Sequence, residues 1–157
     1  MKDDHAGGTA DKLYFEDLPL GRTFETASLV VGRQAIKDFA AAFDPQPFHL
    51  DEAAAAGTFF GGLVASGWHT ASLTMRLLVT SGLPIAGGVI GAGGEVTWPR
   101  AVHPEDELRA VIEVVAAKRS ASRPDRGMVT IRAETLNQKG ETVQVMTARL
   151  VVPAREG

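Results

Sequence analysis

Hydrophobic periodicity divides the chain into a helical part and a strand-rich part. The β-branched run "TFETASLVV" predicts a strand over residues 23–31. Apolar residues then recur at helical spacing, at Ile36, Phe39, Ala40 and Phe43. This spacing predicts a helix of about three turns. Pro45 disfavours helical geometry at the residue before it, so the helix should end at Asp44.

A second helix is predicted between Ser66 and Gly82, after one or two helical turns in "LDEAAAAGTF". Ser66 is the expected N-cap and Gly82 the expected stop. Apolar side chains surround most of this helix, a pattern typical of a buried helix. They are Trp68, Ala71, Leu73, Met75, Leu77, Leu78 and Val79.

Strand-like runs then follow over residues 88–98, 107–119, 127–137 and 141–152. In the last run the apolar positions change parity, which predicts a β-bulge. The glycines at the start of the first of these runs, in "GGVIGAGG", are interpreted as close backbone packing or a bulge. A strand, two helices and then further strands predict an α+β fold, in which one antiparallel sheet wraps around a long apolar helix.

The composition is that of one globular domain. The chain has 157 residues, of which 45% are hydrophobic. Residues 1–11 are polar and glycine-rich and are predicted to form a disordered tail, leaving residues 12–157 as the domain. The net charge of −3 gives no basis for nucleic-acid binding. No secretory signal or membrane span is visible, so we expect a cytoplasmic protein without a membrane partner.

Several kinds of site receive little support. The chain has no cysteine, and His49, His69 and His103 lack the spacing of metal ligands, so no metal site is predicted. We interpret His69 as a hydrogen-bonded packing residue of the second helix. The basic residues around "SASRPD" are interpreted as a solvated hairpin tip.

Asp44 and His49 are the candidate chemical groups. Both lie in "FDPQPFHLD", a segment stiffened by Pro45 and Pro47. One interpretation is an incidental acid and imidazole in a loop. The other is a carboxylate and an imidazole held around one water, which they activate together.

The segments "FDPQPFHLD" and "GGLVASGWHTASL" resemble the MaoC-like, R-specific enoyl-CoA hydratases, which have the hotdog fold. "VTWPRAVHPEDEL" is similar to the aromatic-rich strand and turn that follow in that family. The resemblance extends over about residues 13–153. The chain departs from the family pattern at a few positions, which are Gln46 for Asn, Ser66 for His, Ala101 for the turn proline and Glu105 for its glycine.

This resemblance implies that Asp44 and His49 bind and activate water. It implies that Gly67 donates its backbone N–H to the thioester carbonyl, and we expect a side chain there to crowd that carbonyl. Gln46, Ser66 and Ser72 are the implied substrate contacts.

The implied reaction is reversible addition of water to a trans-2-enoyl-CoA. It needs no metal and no cofactor, because coenzyme A belongs to the substrate. The implied assembly is a homodimer or a dimer of dimers. The bulk of "FFGG" and Trp68 favours short or branched acyl groups.

Two alternative functions stay open. One is an acyl-CoA thioesterase on the same fold, against which the Asp44–His49 pair argues. The other is a non-catalytic acyl-binding subunit, against which the presence of both polar groups argues.

Overall fold

The computed structural model describes residues 11–155. The helices are α1 (Arg33–Phe43), α2 (Pro47–Leu50), α3 (Glu52–Ala56) and α4 (Gly67–Leu77). The strands are β1 (Thr23–Glu25), β2 (Leu29–Val30), β3 (Ile90–Thr97), β4 (Glu107–Arg119), β5 (Arg126–Leu136) and β6 (Thr142–Pro153). They form one antiparallel sheet in the order β1-β4-β5-β6-β3, with β2 also paired to β4.

The sheet packs around α4 and the π-helical turn Leu78–Gly82 that continues it. Leu78 is buried in one apolar cluster with Ile112 and Ile131 of the sheet. Leu77 belongs to a second cluster, with Ile36 of α1 and Leu108 of β4. The predicted α+β hotdog architecture, a sheet wrapped around one central helix, is therefore confirmed.

The central helix is less buried in this chain than its sequence predicts. Trp68 is 60% exposed, and Met75 and Val79 also face outward. The buried face includes His69, Thr70 and Thr74. The prediction of a wholly buried helix is wrong for the single chain, because the sheet covers only one side of α4.

The first predicted strand is interrupted. Residues 23–31 contain β1 and β2, which pair with different parts of β4. Between them, the Thr26 hydroxyl accepts a hydrogen bond from the Ala110 N–H at 2.9 Å. The side chain thus replaces a backbone acceptor and ends the regular ladder of β1.

The irregularities predicted in the later strands are present. Leu136 pairs with Thr142 but Thr135 pairs with Gln144, which leaves Val143 as the bulged residue of β6. In β3 the register shifts between Gly91 and Gly93. A bulge in the last strand is therefore confirmed, but it lies at Val143, before the change of parity between Val145 and Met146. For the glycine-rich run, the register shift confirms the bulge interpretation.

Three further predictions concern the N-terminal tail, the β4–β5 hairpin tip and membrane-spanning helices. Apart from Asp11, the predicted tail lies outside the described residues. The β4–β5 hairpin tip is a surface feature, where Arg119 pairs with Glu16 and Arg126 with Asp125. Within residues 11–155, no helix is long and apolar enough to cross a membrane.

Candidate active site

The segment after α1 presents a carboxylate and an imidazole from two short elements. Asp44 is the C-cap of α1, as predicted, and its N–H donates to the Ala40 carbonyl at 2.8 Å. Gln46 is extended, as expected for a residue before proline. Pro47 then begins the short helix α2, which the sequence did not predict and which carries His49.

The imidazole of His49 is buried, and its tautomer follows from its partners. Nδ1 lies 2.6 Å from the Val64 carbonyl oxygen. A carbonyl only accepts, so Nδ1 carries a hydrogen and donates it. Nε2 lies 3.3 Å from Oδ2 of Asp44. When the ring is neutral, Nε2 is therefore a bare acceptor beside the carboxylate.

Two side chains stabilise the ionised form of Asp44. The Ser66 hydroxyl donates to its carboxylate, and Gln46 Nε2 donates to Oδ1 at 2.5 Å. The Ser66 hydrogen bond is the main cause of a lowered Asp44 pKa; burial opposes it, and the Gln46 bond and the charge of protonated His49 add to it. Asp44 is thus an anion at neutral pH.

The start of α4 faces the same space. Ser66 caps the helix, because its hydroxyl oxygen accepts from the Trp68 N–H at 3.3 Å. The Gly67 N–H has no hydrogen-bond partner among residues 11–155. A helix N-terminus with a free N–H and a positive dipole end favours negative charge.

A cavity of about 250 Å³, here called the dyad cavity, joins His49 to this helix end. It is lined by Phe48, His49, Phe60, Val64, Ala65, Gly67, Thr70, Trp98, Arg100, Ala101 and Val102. An imidazole backed by a carboxylate thus shares one cavity with a free helix-end N–H.

Residues 16–137 match the sequence model of the MaoC-like domain. The chain belongs to the MaoC-like domain family. Its closely matching relatives include the MaoC-like dehydratase of Rhodospirillum rubrum, with 58% identity, coverage of 91% of this chain and 98% of that chain, and a TM-score of 0.89.

Two more relatives of this MaoC-like chain have lower identity. The (R)-hydratase of A. caviae involved in PHA biosynthesis is 31% identical, over 88% of this chain and 98% of that chain, with a TM-score of 0.69. The uncharacterised protein YdeM of Bacillus subtilis is 35% identical over 127 residues, 79% of this chain and 87% of its own length. The predicted family is therefore confirmed.

The predicted substrate contacts of the MaoC-like domain occupy three different places. Gln46 binds the Asp44 carboxylate. Ser66 is fully buried, so its side chain positions Asp44 and caps α4 instead of facing the cavity. Ser72 is exposed, donates to the Trp68 carbonyl at 2.8 Å and does not line the dyad cavity. Contact of Gln46, Ser66 or Ser72 with a substrate stays a prediction.

His69 is a packing residue, as predicted, but its buried Nδ1 makes no hydrogen bond within residues 11–155. Its buried ring stacks on Phe39, with ring centroids 4.7 Å apart. Burial lowers the His69 pKa, and the charge of His49 adds to the effect. No group of three or more metal-binding side chains occurs within residues 11–155.

Two contacts that shape the site of this MaoC-like domain had no signal in the sequence. One is the Val64 carbonyl, which orients His49 through the backbone. The other is the Trp98 indole against Gly67, where an added Cβ would lie 2.7 Å from Trp98 Cε2. A side chain at position 67 would therefore meet Trp98 first, which corrects the expectation that it would mainly crowd a substrate carbonyl.

The predicted bulk near the cavity comes from other aromatic residues. Phe60 of "FFGG" lines the cavity, whereas Phe59 and Trp68 are exposed outside it. Phe48 and Trp98 supply the remaining aromatic walls. Their signal in the sequence was weak, because single aromatic residues are common in any core.

Proposed function

We propose that this MaoC-like protein is an enoyl-CoA hydratase, which also catalyses the reverse dehydration of 3-hydroxyacyl-CoA. The observation that carries the proposal is the pair of acceptors, Asp44 Oδ2 and His49 Nε2, 3.3 Å apart. His49 lines the same cavity as Gly67, whose N–H has no partner among residues 11–155. The (R)-hydratase identity of the A. caviae relative supports the same reaction class.

Two adjacent acceptors suit one water molecule. A water at the apex of a triangle above them gives one hydrogen to the Asp44 carboxylate and the other to His49 Nε2. Its lone pairs then face away from the pair, into the cavity. The oxygen is thereby oriented and made more nucleophilic by partial proton transfer.

In the proposed reaction, His49 acts at one end of the dyad cavity and the Gly67 N–H at the other. The water oxygen forms a bond to the β-carbon of the enoyl group while its proton passes to Nε2 of His49. The π electrons move toward the thioester carbonyl, and the Gly67 N–H and the helix dipole stabilise the enolate oxygen. The α-carbon next takes this proton from Nε2 of His49, which gives the 3-hydroxyacyl thioester and restores the neutral imidazole.

The contacts of Asp44 and His49 orient both side chains for this proton transfer. The Val64 carbonyl keeps Nδ1 protonated, so Nε2 is always the nitrogen that accepts and returns the proton. The Asp44 anion stabilises the imidazolium that forms. No cofactor is needed beyond the coenzyme A of the substrate.

Incubation with crotonyl-CoA tests this function against the two alternatives. A hydratase removes the enoyl absorbance and releases no free thiol. A thioesterase releases free thiol, and a non-catalytic acyl-binding subunit changes neither signal. Either of the last two results would refute the proposal.

We further propose that the protein is a homodimer. β3 is an outer strand of the sheet and pairs only with β6 among the described residues. Its residues are almost all exposed. The outward-facing Trp68 and Met75 of α4 line a groove together with residues of β3. An exposed sheet edge with apolar side chains favours association.

A further inference from the structure

Trp98 forms a wall of the dyad cavity at the helix end. Its indole lies so close to Gly67 that an added Cβ would come within 2.9 Å of several ring atoms. Gly67 and Trp98 line the same cavity as His49. A carbonyl that accepts a hydrogen bond from Gly67 therefore lies next to the indole.

A chain of hydrogen bonds, partly buried at the indole and fully buried beyond it, holds this ring. Trp98 Nε1 donates to Gln144 Oε1 at 2.9 Å, and Gln144 Nε2 donates to the Thr74 hydroxyl at 3.2 Å. Thr74 donates to the Thr70 carbonyl at 2.9 Å. The remaining contact, between Thr74 and Thr135 at 2.8 Å, is then a bond that Thr135 donates.

This chain ties the indole to the first turns of α4. Gln144, Thr74 and Thr135 are completely buried, and Thr70 lines the dyad cavity. A buried amide or hydroxyl that loses its partner is costly, so each member resists leaving its position. The orientation of the Trp98 ring is thereby fixed relative to Gly67.

We propose that Trp98 determines substrate specificity by limiting the bulk of the acyl group next to the thioester carbonyl. This inference rests on the proposed function and specifies its substrate class. The preferred substrates are enoyl thioesters without a branch at the α-carbon. Gln144 is the positioning residue that keeps the wall rigid.

The test compares crotonyl-CoA with tiglyl-CoA, its α-methyl analogue. The ratio of their kcat/KM values measures the selectivity against the branch. In Trp98→Ala this ratio should fall by about 10-fold or more, because one methyl group in a tight pocket changes rates on that scale. A ratio equal to that of the wild type would overturn the proposal.

Trp68→Ala is the matched control. It removes an equal indole that touches Trp98, with ring centroids 5.2 Å apart, but does not line the dyad cavity. Its selectivity ratio should stay at the wild-type value. An equal fall in both variants would mean that loss of any neighbouring indole loosens the site, and would overturn a specific role for Trp98.

Gln144→Leu tests the positioning role. It removes the acceptor of the indole N–H, so the selectivity ratio should fall in the same direction as in Trp98→Ala, but less. A lower melting temperature with an unchanged selectivity ratio would overturn this role. If Trp98→Ala does not fold, Trp98→Leu combined with Gln144→Leu removes the indole and its acceptor together.

A binding measurement separates this inference from the proposed function. The melting-temperature shifts caused by butyryl-CoA and its α-methyl analogue require no hydration. In the wild type the unbranched thioester should give the larger shift, and Trp98→Ala should reduce the difference. An inactive wild type would end the hydratase proposal, whereas an unchanged difference would end this one.

Discussion

At the scale of single residues, the hydrogen bonds around Asp44 and His49 suit these two side chains to different roles. Val64 fixes which nitrogen of His49 carries a hydrogen, and Ser66 lowers the pKa of Asp44. In the proposed mechanism, His49 is the group that accepts and returns the proton, and Asp44 is the group that orients and stabilises. Since they act on one water, they should behave as one unit.

Asp44→Asn and His49→Ala should each lower kcat/KM for crotonyl-CoA by about 10²–10⁴, the usual effect of losing a positioned acid or base. The double variant should lose little more than the worse single variant. Steady-state kinetics measure both effects. His103→Ala is the control, because it removes an exposed imidazole in a loop outside the dyad cavity. Near-normal rates in both single variants would contradict the proposed pair.

Ser66→Ala should raise the pKa of Asp44. The Ser66 bond is the largest cause of the lowered Asp44 pKa, so its loss moves that pKa back toward the ordinary range of an aspartate. As pH falls, the carboxylate of the variant should therefore take up its proton before that of the wild type does. The NMR signal of the Asp44 carboxyl carbon, followed against pH in both proteins, checks this.

Asp51→Ala controls for the helix cap that Ser66→Ala also removes. Asp51 caps α3 through Ala53 and Ala54 and lies outside the hydrogen bonds of Asp44. Each cap is worth about 1 kcal/mol of stability. An equal rise of the Asp44 pKa in both variants would mean that the shift comes from lost stability.

Glu105 has a backbone conformation that favours glycine. Its φ is 71°, in the left-handed region, where a residue with a Cβ is strained. Glu105→Gly should therefore raise the free energy of unfolding, by about 0.5–1 kcal/mol after the entropy cost of glycine. Urea denaturation measures the change.

Gly140→Ala is the opposite control for Glu105→Gly. Gly140 has a φ of 74° with open space around its Cα, so alanine adds strain and nothing else. The free energy of unfolding of Gly140→Ala should fall by about 1 kcal/mol. If the free energy of unfolding changed in the same direction in both variants, φ would not control stability at these turns.

At the scale of elements, α4 depends on the glycine with which it begins. In Gly67→Ala the new methyl group would overlap the Trp98 ring, and overpacking of this kind costs about 1–3 kcal/mol. In a Trp98→Ala background the same substitution should cost much less. Urea denaturation of the two single variants and the double variant gives this coupling. Equal costs in the two backgrounds would contradict the contact.

Local signals predicted those parts of the site that lie within one segment. Proline spacing, the end of α1 and the N-cap Ser66 indicated where Asp44, His49 and Gly67 lie, and the structure brings these together. The family resemblance then gave them roles. Such signals need no knowledge of the distant chain, because they act over a few residues.

The hydrogen-bond chain behind Trp98 carried no such signal. It joins residues 46 and 70 positions apart, and a polar residue within a strand pattern normally indicates the solvent face. Gln144 lies beside the bulged Val143, where two successive residues of β6 are both buried. Only the assembled sheet determines which side chains a bulge turns inward.

At the scale of the whole molecule, the outer strand β3 should mediate dimerisation. Ile90→Lys places a charge on this edge and should convert the dimer to a monomer. Size-exclusion chromatography with light scattering measures the mass. Val30→Lys is the matched control, because Val30 is 58% exposed and Ile90 is 56% exposed, on strands at opposite parts of the sheet. A dimer that persists in Ile90→Lys would place the interface elsewhere.

The contact between Trp68 and Trp98 also gives the protein a built-in optical probe. The chain contains two tryptophans, and their rings meet edge to face at the start of α4. Indole emission excited at the red edge of its absorption thus originates from a single place, the wall of the dyad cavity and its immediate neighbour. A thioester that enters the cavity displaces water from one of these rings, so its arrival can be followed in real time without an attached dye.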